Sequence, residues 1–476
     1  MQKDEKIFED FPPQDRESGL QNSASQSPRA KLGFFSRPLE NVNFFVAQMA
    51  FFQGLFALNQ LAVFMYQKKT LGMEPSEIQF ATGLIAIPWS LKPIYGYFID
   101  KFLKKYRTTK PIFVNTSFVM IIMFSFISHF TIPNWMFYLI YFIVTNCIVC
   151  QNIVAEYLLC VTTQRESRET GVLKNNFPIF FGFRAVGGLI GTFFSGRIIK
   201  AYSINTVFYI SSFIPALIII FSLIHQEQEH TKETHERSFK DELRSIGKLL
   251  SQKELSILIT CVCLLNICPN FDSITTFYLS EVHKFSTKDL ADLSTVSAMF
   301  YIIGLAFYYK LLLNVSPKKL FLSTNFLLWI GNFSFIALVL RWIESWGISP
   351  LIFCMFNYGI TSFINELNSM PVMAIWTAYV PEGLEATSIT LLTGINNLSN
   401  NISNYTGSFV AWTFGVSSKN LERFSLALIV QNIYLILIVL MLFCVPIAEP
   451  KMTALKSTKS YEMISIDSKS FEKHKV

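Results

Sequence analysis

The segment from Gly83 to Lys105, GLIAIPWSLKPIYGYFIDKFLKK, restricts most strongly what this chain can fold into. It is too apolar for a surface helix and too charged for an ordinary membrane anchor. The stretch from Ile78 to Ile99 is long enough to cross a hydrocarbon core of about 30 Å, at about 1.5 Å per residue. Lys92 then lies inside the membrane, where a charge costs about 2.5 to 3.5 kcal/mol and requires a partner or a water-filled cavity. We interpret the segment as a transmembrane helix that carries a function.

Two prolines indicate that this helix is irregular within the membrane. Pro88 and Pro93 leave the carbonyls of Leu84 and Trp89 without their helical donors. In lipid, neighbouring helices or water must satisfy such carbonyls. We therefore expect this helix to form the wall of a cavity.

Composition extends the membrane interpretation to the whole chain. Of 476 residues, 51% are hydrophobic and only 15% are charged, whereas about a quarter of a soluble globular chain is charged. The net charge of +7 comes from basic residues beside apolar segments, which is typical of membrane topology. We expect an all-α polytopic membrane protein surrounded by lipid, with no nucleic-acid partner.

The apolar segments predict twelve transmembrane helices in two six-helix halves. They lie near residues 42–66, 76–99, 111–130, 135–161, 177–199, 204–225, 254–280, 289–313, 319–341, 349–378, 385–412 and 422–446. The distribution of basic residues among the connections predicts that both termini are cytosolic. We thus expect a disordered N-tail (1–41), a first half (42–225), a cytosolic central loop (226–253), a second half (254–446) and a cytosolic C-tail (447–476).

The first half carries a group of polar residues deep in its spans. Lys92, Glu156 and Arg184 each lie about 12 to 14 Å from the cytosolic side, near the midplane, and Asn152 precedes Glu156 by one turn. Three small residues follow Arg184 and permit close helix approach: Gly187, Gly188 and Gly191. Two cations and one acid favour an anion site. The alternative is a structural ion pair of Glu156 with Arg184 or Lys92.

The second half contains two acids in its outer part, Asp272 and Glu366, with no basic residue at their level in the sequence. Since two such acids are not both comfortably ionised, at least one is expected to hold a proton. The alternative is a pair of hydrated acids near the outer mouth.

Helix 11 is rich in asparagine. Asn397, Asn401 and Asn404 share one face, at spacing i, i+4, i+7. An amide-lined wall of this kind can bind a polar heterocycle. No histidine lies deep in a span beside an acid or a nucleophile, so we expect no enzyme, metal site or cofactor.

Several strings resemble known transporters. The run Gly96-x-x-x-Asp100, followed by basic residues, resembles the loop between helices 2 and 3 of the major facilitator superfamily. The fuller string Pro88-Trp89-x-x-Lys92-Pro93-x-x-Gly96-x-x-x-Asp100 resembles the folate-biopterin transporter family. Further matches are Met370-Pro371, Pro381-Glu382-Gly383-Leu384-Glu385-Ala386-Thr387, Asn396-Asn397 and Arg184-Ala-Val-Gly187-Gly188.

This resemblance implies a fold of the major facilitator type and uptake of folate or a related pterin by proton symport with alternating access. From the residues and the resemblance together, we expect substrate binding by Lys92, Asn152, Glu156, Arg184, Asn397 and Asn401, proton coupling by Asp272 and Glu366, and a gating loop at Gly96 and Asp100. We expect a monomer in the plasma membrane, with an organellar membrane as the alternative.

Helix 4 departs from the family pattern. Where the family usually shows three acids, this chain has Asn152, Glu156 and Val161, so only one acid remains. Coupling and substrate therefore stay open. The alternatives are a transporter of another organic metabolite, such as S-adenosylmethionine, and a nutrient sensor that transports nothing.

Overall fold

The computed structural model describes residues 42–170, 177–225, 247, 250–251, 253–312, 315–379 and 385–445. The predicted tails (1–41 and 447–476) and nearly all of the predicted central loop (226–253) lie outside these residues. Within the described chain the structure is helical, and its one β-type pairing is an isolated bridge between Ser417 and Asn420.

Each predicted span coincides with one helix or with consecutive helices. In chain order these are α1 (Val42–Leu55), α2 (Leu58–Met65), α3 (Pro75–Ser90), α4 (Lys92–Tyr106), α5 (Lys110–His129), α6 (Asn134–Thr170), α7 (Phe177–Ala201), α8 (Ile204–Ser211), α9 (Phe213–Ile224), α10 (Lys253–Asn266), α11 (Asp272–Glu281), α12 (Thr287–Phe307), α13 (Pro317–Val339), α14 (Trp342–Ser345), α15 (Pro350–Tyr379), α16 (Glu385–Thr413) and α17 (Phe424–Cys444). Short π-helical turns continue α2 at Tyr66–Thr70 and α12 at Tyr308–Leu312.

Seven helical segments in the described chain are long and apolar enough, by length and composition, to cross a membrane. Large apolar side chains cover the outside of the bundle. Phe98, Phe409 and Leu437, for example, are each more than 60% exposed. Such a surface suits lipid, because lipid tails are as apolar as these side chains. The all-α membrane fold is confirmed, whereas the count of twelve spans stays a prediction.

The helix predicted over residues 76–99 is broken in two. Helix α3 ends at Ser90 and α4 begins at Lys92, with Leu91 outside the helical region at φ −85° and ψ 4°. Gly96 and Asp100 belong to α4 and so lie in a helix in this structure, whereas their gating role stays a prediction. No glycine or proline follows Gly96 until the helix ends at Tyr106, so nothing in the sequence interrupts it there.

Two pairs of helices join the halves along a common seam. Helix α7 of the first half packs on α12 of the second, and α3 packs on α16. The first half has its own apolar core, which runs from Phe45 to Ile218. The second core centres on the helices after Phe271. This arrangement leaves the polar residues at the seam.

The outer end of the bundle is the end that carries the connections 71–74, 282–286, 340–349 and 414–423, which the topology prediction places outside. Polar contacts join the two halves there. Lys68 Nζ lies 2.6 Å from a Glu281 carboxylate oxygen. Arg197 Nη2 lies 2.9 Å from Asp292 Oδ1. The two halves are therefore closed against each other at the outer end.

Candidate substrate-binding site

A cavity of about 700 Å³ lies at the seam between the two halves. Its walls combine aromatic rings, amides, hydroxyls and one cation. The described lining residues are Gln53, Gly54, Phe56, Ala57, Gln60, Trp89, Thr145, Ile148, Phe181, Arg184, Ala185, Gly188, Ser297, Ala298, Tyr301 and Ser362. Arg184 is the only charged side chain among them, and they include no carboxylate. The volume falls within the range of about 300 to 1,000 Å³ that is usual for small-molecule sites.

Arg184 reaches the cavity because α7 crosses α1 at very short range. A Cβ atom on Gly54 would lie 2.0 Å from the carbonyl oxygen of Arg184, and one on Gly187 would lie 2.1 Å from that of Phe51. The small-residue face predicted on this helix is thus confirmed as a close backbone contact. The guanidinium of Arg184 lies 5.9 Å from the centre of the Trp89 ring, within cation–π range.

Lys92 and Glu156 form an ion pair with each other. Lys92 Nζ donates to both carboxylate oxygens of Glu156, each at 2.7 Å, and the lysine side chain is only 2% exposed. Neither residue belongs to the described lining of the cavity. The structural ion pair is therefore the better interpretation for these two. Their predicted substrate-binding role stays a prediction, and Arg184 is the cation among the described lining residues.

Asn152 lies behind the cavity wall. It is completely buried, and its Nδ2 donates to Gln53 Oε1 at 3.0 Å. Gln53 lines the cavity, and its Nε2 has no partner in the described structure. Asn152 is thus a positioning residue that orients Gln53, and the free donor belongs to Gln53.

The carbonyl of Trp89 illustrates how α16 supports the broken helix. Pro93 removes the helical donor to this carbonyl, as the sequence predicts. Asn397 Nδ2 donates to it instead, at 3.2 Å. The neighbouring helix therefore supplies the missing hydrogen bond.

The asparagine face of α16 binds α3 along its length. Asn401 Nδ2 donates to Ser90 Oγ at 2.6 Å, and Asn404 Oδ1 accepts from Gln79 Nε2 at 2.8 Å. Substrate binding by Asn397 and Asn401 stays a prediction. In this structure both amides bind α3 next to its end at Ser90, because the break between α3 and α4 leaves polar groups there to satisfy.

Glu366 on α15 is 3% exposed, one helical turn beyond the lining residue Ser362. Ser369 Oγ lies 3.4 Å from its Oε2, whereas Oε1 has no hydrogen-bond partner in the described structure. Tyr301 and Arg184 both belong to the lining of the cavity that Ser362 also faces.

Asp272 has a different environment. It begins α11 directly after a break in the helix, and its side chain is exposed. Asn270 Nδ2 donates to Asp272 Oδ2 at 3.1 Å, and the amide of Asp272 donates back to Asn270 Oδ1 at 2.7 Å. No hydrogen bond or ion pair between these described residues joins Asp272 to Glu366. The structure therefore does not place the two acids in one site.

The break from residue 267 to residue 271 leaves backbone carbonyls within the bundle. Side chains of α16 and α17 donate hydrogen bonds to these carbonyls. Ser403 Oγ donates to Cys268, Thr406 Oγ1 donates to Ile267 at 3.3 Å, and Gln431 Nε2 donates to Pro269 at 2.8 Å. Irregular backbone at this depth is tolerated only with such partners.

Sequence reasoning missed several residues of the cavity wall. Gln53 and Gln60 are two amides seven residues apart in a mostly apolar span that also contains Gln48 and Asn59, so their shared face was a weak signal. Trp89 also lies three residues before Lys92. Tyr301 carries no such signal, since a tyrosine in an apolar span is usually a packing residue.

Comparison with known proteins places the chain among membrane transporters. The model described as the BT1 family matches residues 53–463. A folate-biopterin transporter from Synechocystis sp. is 23% identical over 411 residues, covering 85% of this chain and 82% of the relative. Folate transporter 1 from Plasmodium falciparum is 23% identical over 406 residues, covering 84% and 78%.

Solved structures show the same fold at low identity. A peptide transporter of the POT family, described as auto-inhibited, has a TM-score of 0.65 at 10% identity and covers 86% of this chain and 98% of its own. The nucleoside transporter NupG has a TM-score of 0.63 at 13% identity and covers 85% and 98%. These similarities confirm a fold of the major facilitator type.

Proposed function

The chain belongs to the BT1 family, and from this premise we propose that it carries folate or a related pterin across a membrane by proton symport with alternating access. Its relatives are transporters and not enzymes. The chain itself is an integral, multi-pass membrane protein. We propose the plasma membrane as its location.

The observation that carries the proposal is the charge of the cavity. Among its described lining residues, Arg184 is the only charged side chain. A guanidinium is suited to bind a carboxylate through two parallel hydrogen bonds. Folate carries two carboxylates on its glutamate tail, and the cavity offers one group that recognises such a tail.

The remaining wall suits the flat heterocycle of the same substrate. Phe56, Phe181 and Trp89 supply aromatic surface, and aromatic rings prefer offset or edge contacts with other rings. Gln53 and Gln60 supply amide groups, which suit a carbonyl or a ring nitrogen. The cavity therefore has an aromatic and amide part for a pterin ring and a cationic part for the tail.

A cationic metabolite such as S-adenosylmethionine suits the same cavity less well. The remaining acid of α6, Glu156, is held by Lys92 at 2.7 Å, and the described lining contains no carboxylate. Glu366 lies behind the wall rather than on it. S-adenosylmethionine therefore serves as a competitor in the uptake experiment.

Radiolabelled folate uptake in a folate-auxotrophic host tests the proposal, with unlabelled folate, a neutral pterin without the glutamate tail and S-adenosylmethionine as competitors. Folate should compete best. If folate does not enter above the empty-vector level, the proposed substrate is wrong. If labelled folate binds the purified chain but is not carried, a sensor replaces the transporter.

Arg184→Gln tests the carboxylate contact directly. A hydrogen bond to a charged group contributes about 1.5 to 3 kcal/mol, so the apparent affinity for folate should fall about 10-fold to 150-fold. Competition by the neutral pterin should change far less. Arg184→Lys should recover little if the contact is two-pronged.

The matched control is Arg107→Gln, which removes an exposed arginine at the end of α4. It should leave uptake of both ligands unchanged. Equal losses for folate and pterin in Arg184→Gln would mean that Arg184 holds helices rather than substrate.

A further inference from the structure

Two sites of the proposed transport cycle lie close together in the second half and at the seam. Arg184 faces the cavity and is the proposed contact for the substrate's carboxylate. Glu366 is almost completely buried one turn behind the lining residue Ser362, and its Oε1 has no partner in the described structure. A symporter needs a physical link between such sites, because each must influence the other.

Tyr301 on α12 lies between the two. It lines the cavity together with Arg184. One turn further along α12, the helix approaches α15 closely, since a Cβ atom on Gly304 would lie 3.2 Å from the Cβ atom of Glu366. Tyr301 therefore lies on the part of α12 that faces both the cavity with Arg184 and the helix that carries Glu366.

The other groups around Glu366 do not offer a second link. Tyr309, in the π-helical turn after α12, interacts with Glu366 but does not belong to the described lining of the cavity. On α13, Thr324 Oγ1 and Asn325 Nδ2 donate to Asn368 instead, at 2.8 and 2.9 Å. Helices α10 and α14 also touch α15, and within the described chain they place no charged partner on Glu366.

We propose that Tyr301 is the positioning residue that links the proton site to the substrate site. Its hydroxyl donates to Glu366 while that carboxylate is charged, and it turns toward the substrate's carboxylate at Arg184 once Glu366 is protonated. This inference rests on the proposed function. A phenol has a single proton to donate, so it serves one carboxylate at a time.

The proton balance of this step is simple. One proton from solution binds the Glu366 carboxylate and forms a neutral carboxyl, while Tyr301 keeps its own proton throughout. The released hydroxyl then adds a second donor beside Arg184. Protonation therefore favours substrate binding, and by reciprocity substrate binding favours protonation.

The test uses the purified full chain in proteoliposomes, with folate as the probe and three variants: Tyr301→Phe, Glu366→Gln and Tyr309→Phe. The wild type should accumulate folate with an inward proton gradient, and its apparent affinity should be about 5- to 150-fold higher at an acidic than at a neutral pH. Tyr301→Phe should exchange folate at equal pH on both sides, with some loss of affinity. It should show no gradient-driven accumulation and a pH effect below about twofold.

Glu366→Gln, which is neutral like the protonated carboxyl, should also lose gradient-driven accumulation and the pH effect but should keep the higher affinity seen at acidic pH. Tyr309→Phe should resemble the wild type. Proton-driven accumulation in Tyr301→Phe at the wild-type level would overturn the inference while leaving the proposed function intact. Loss of both exchange and accumulation in Tyr301→Phe would also overturn the inference, because Tyr301 would then be only a structural residue or a substrate contact. A wild type that transports no folate overturns the proposed function itself.

Discussion

The charged residues of the first half show how a buried ion pair and a free cation can be told apart. Lys92, Glu156 and Arg184 are equivalent candidates in the sequence, because all three lie at one depth. In the structure Lys92 donates to both carboxylate oxygens of Glu156, and Arg184 faces the cavity. The pair and the single cation therefore have different roles, which mutations can separate.

We expect Glu156→Gln to destabilise the protein strongly. It removes the carboxylate paired with a lysine that is 2% exposed, and breaking a buried ion pair by removing one partner costs about 3 to 5 kcal/mol. Thermal unfolding of the purified chain in detergent measures the loss. The double variant Lys92→Met with Glu156→Leu removes both charges, and it should recover most of the stability. A double variant as unstable as the single one would contradict the structural role of the pair.

At the level of helices, the break between α3 and α4 is the feature that decides how the two halves meet. Pro93 removes a donor, and Asn397 replaces it from the other half. The helix is thereby tied to α16 at the point where it bends. Such a hydrogen bond links local backbone chemistry to the contact between the halves.

Asn397→Ala should therefore cost about 1 to 3 kcal/mol, the usual penalty for an unsatisfied buried polar group. The matched control is Asn400→Ala on the exposed side of the same helix, which should have little effect. In a Pro93→Ala background the missing backbone donor is restored, so the loss caused by Asn397→Ala should shrink. Identical losses in both backgrounds would show that Asn397 does not serve the Trp89 carbonyl.

Across the whole molecule, the contacts at the outer end decide which state the structure represents. Lys68 with Glu281 and Arg197 with Asp292 join the halves. Alternating access, as proposed here, requires these contacts to break when the cavity opens outward. Partly exposed pairs contribute little each, about 0.2 to 1 kcal/mol, which suits contacts that open and close repeatedly.

We expect Arg197→Gln to open the outer end more often. With a cysteine at position 298 in a background free of native cysteines, an impermeant maleimide added outside should react up to about fivefold faster, since about 1.4 kcal/mol corresponds to tenfold. The exchanged pair, Arg197→Asp with Asp292→Arg, should return the rate toward the original. Unchanged labelling in Arg197→Gln would mean that this pair does not hold the outer end closed.

The ion pair between Lys68 and Glu281 should remain intact at the mildly acidic pH that drives a proton symporter. The hydrogen bond from the Lys68 ammonium lowers the pKa of Glu281 below its usual 4.5. A carboxyl with a lowered pKa stabilises the fold at any pH above its pKa in the unfolded chain. This stabilisation is lost only as the pH falls through its pKa in the folded chain. The contact therefore remains down to about pH 4.5 and is lost below it, so labelling at the outer end should not respond to milder acidification.

Much of the fold followed from the chain alone, because apolar length and charge position are local properties. The helices lie at the predicted spans, the prolines mark the break at Leu91, and the glycines after Arg184 mark a close helix contact. The family followed from short strings that span both halves. Each of these features depends on residues near one another in the sequence.

The contacts that side chains make with other helices of the bundle could not be predicted from the sequence. Whether Lys92 or Arg184 pairs with Glu156, and whether Asn397 faces substrate or a backbone carbonyl, depends on how helices rotate and pack. Depth along a span can be counted from the sequence, but the direction in which a side chain points across the bundle cannot. Tyr301 became visible only in the fold, because the cavity that it lines together with Arg184 of α7 and Ser362 of α15 forms only when the halves are joined.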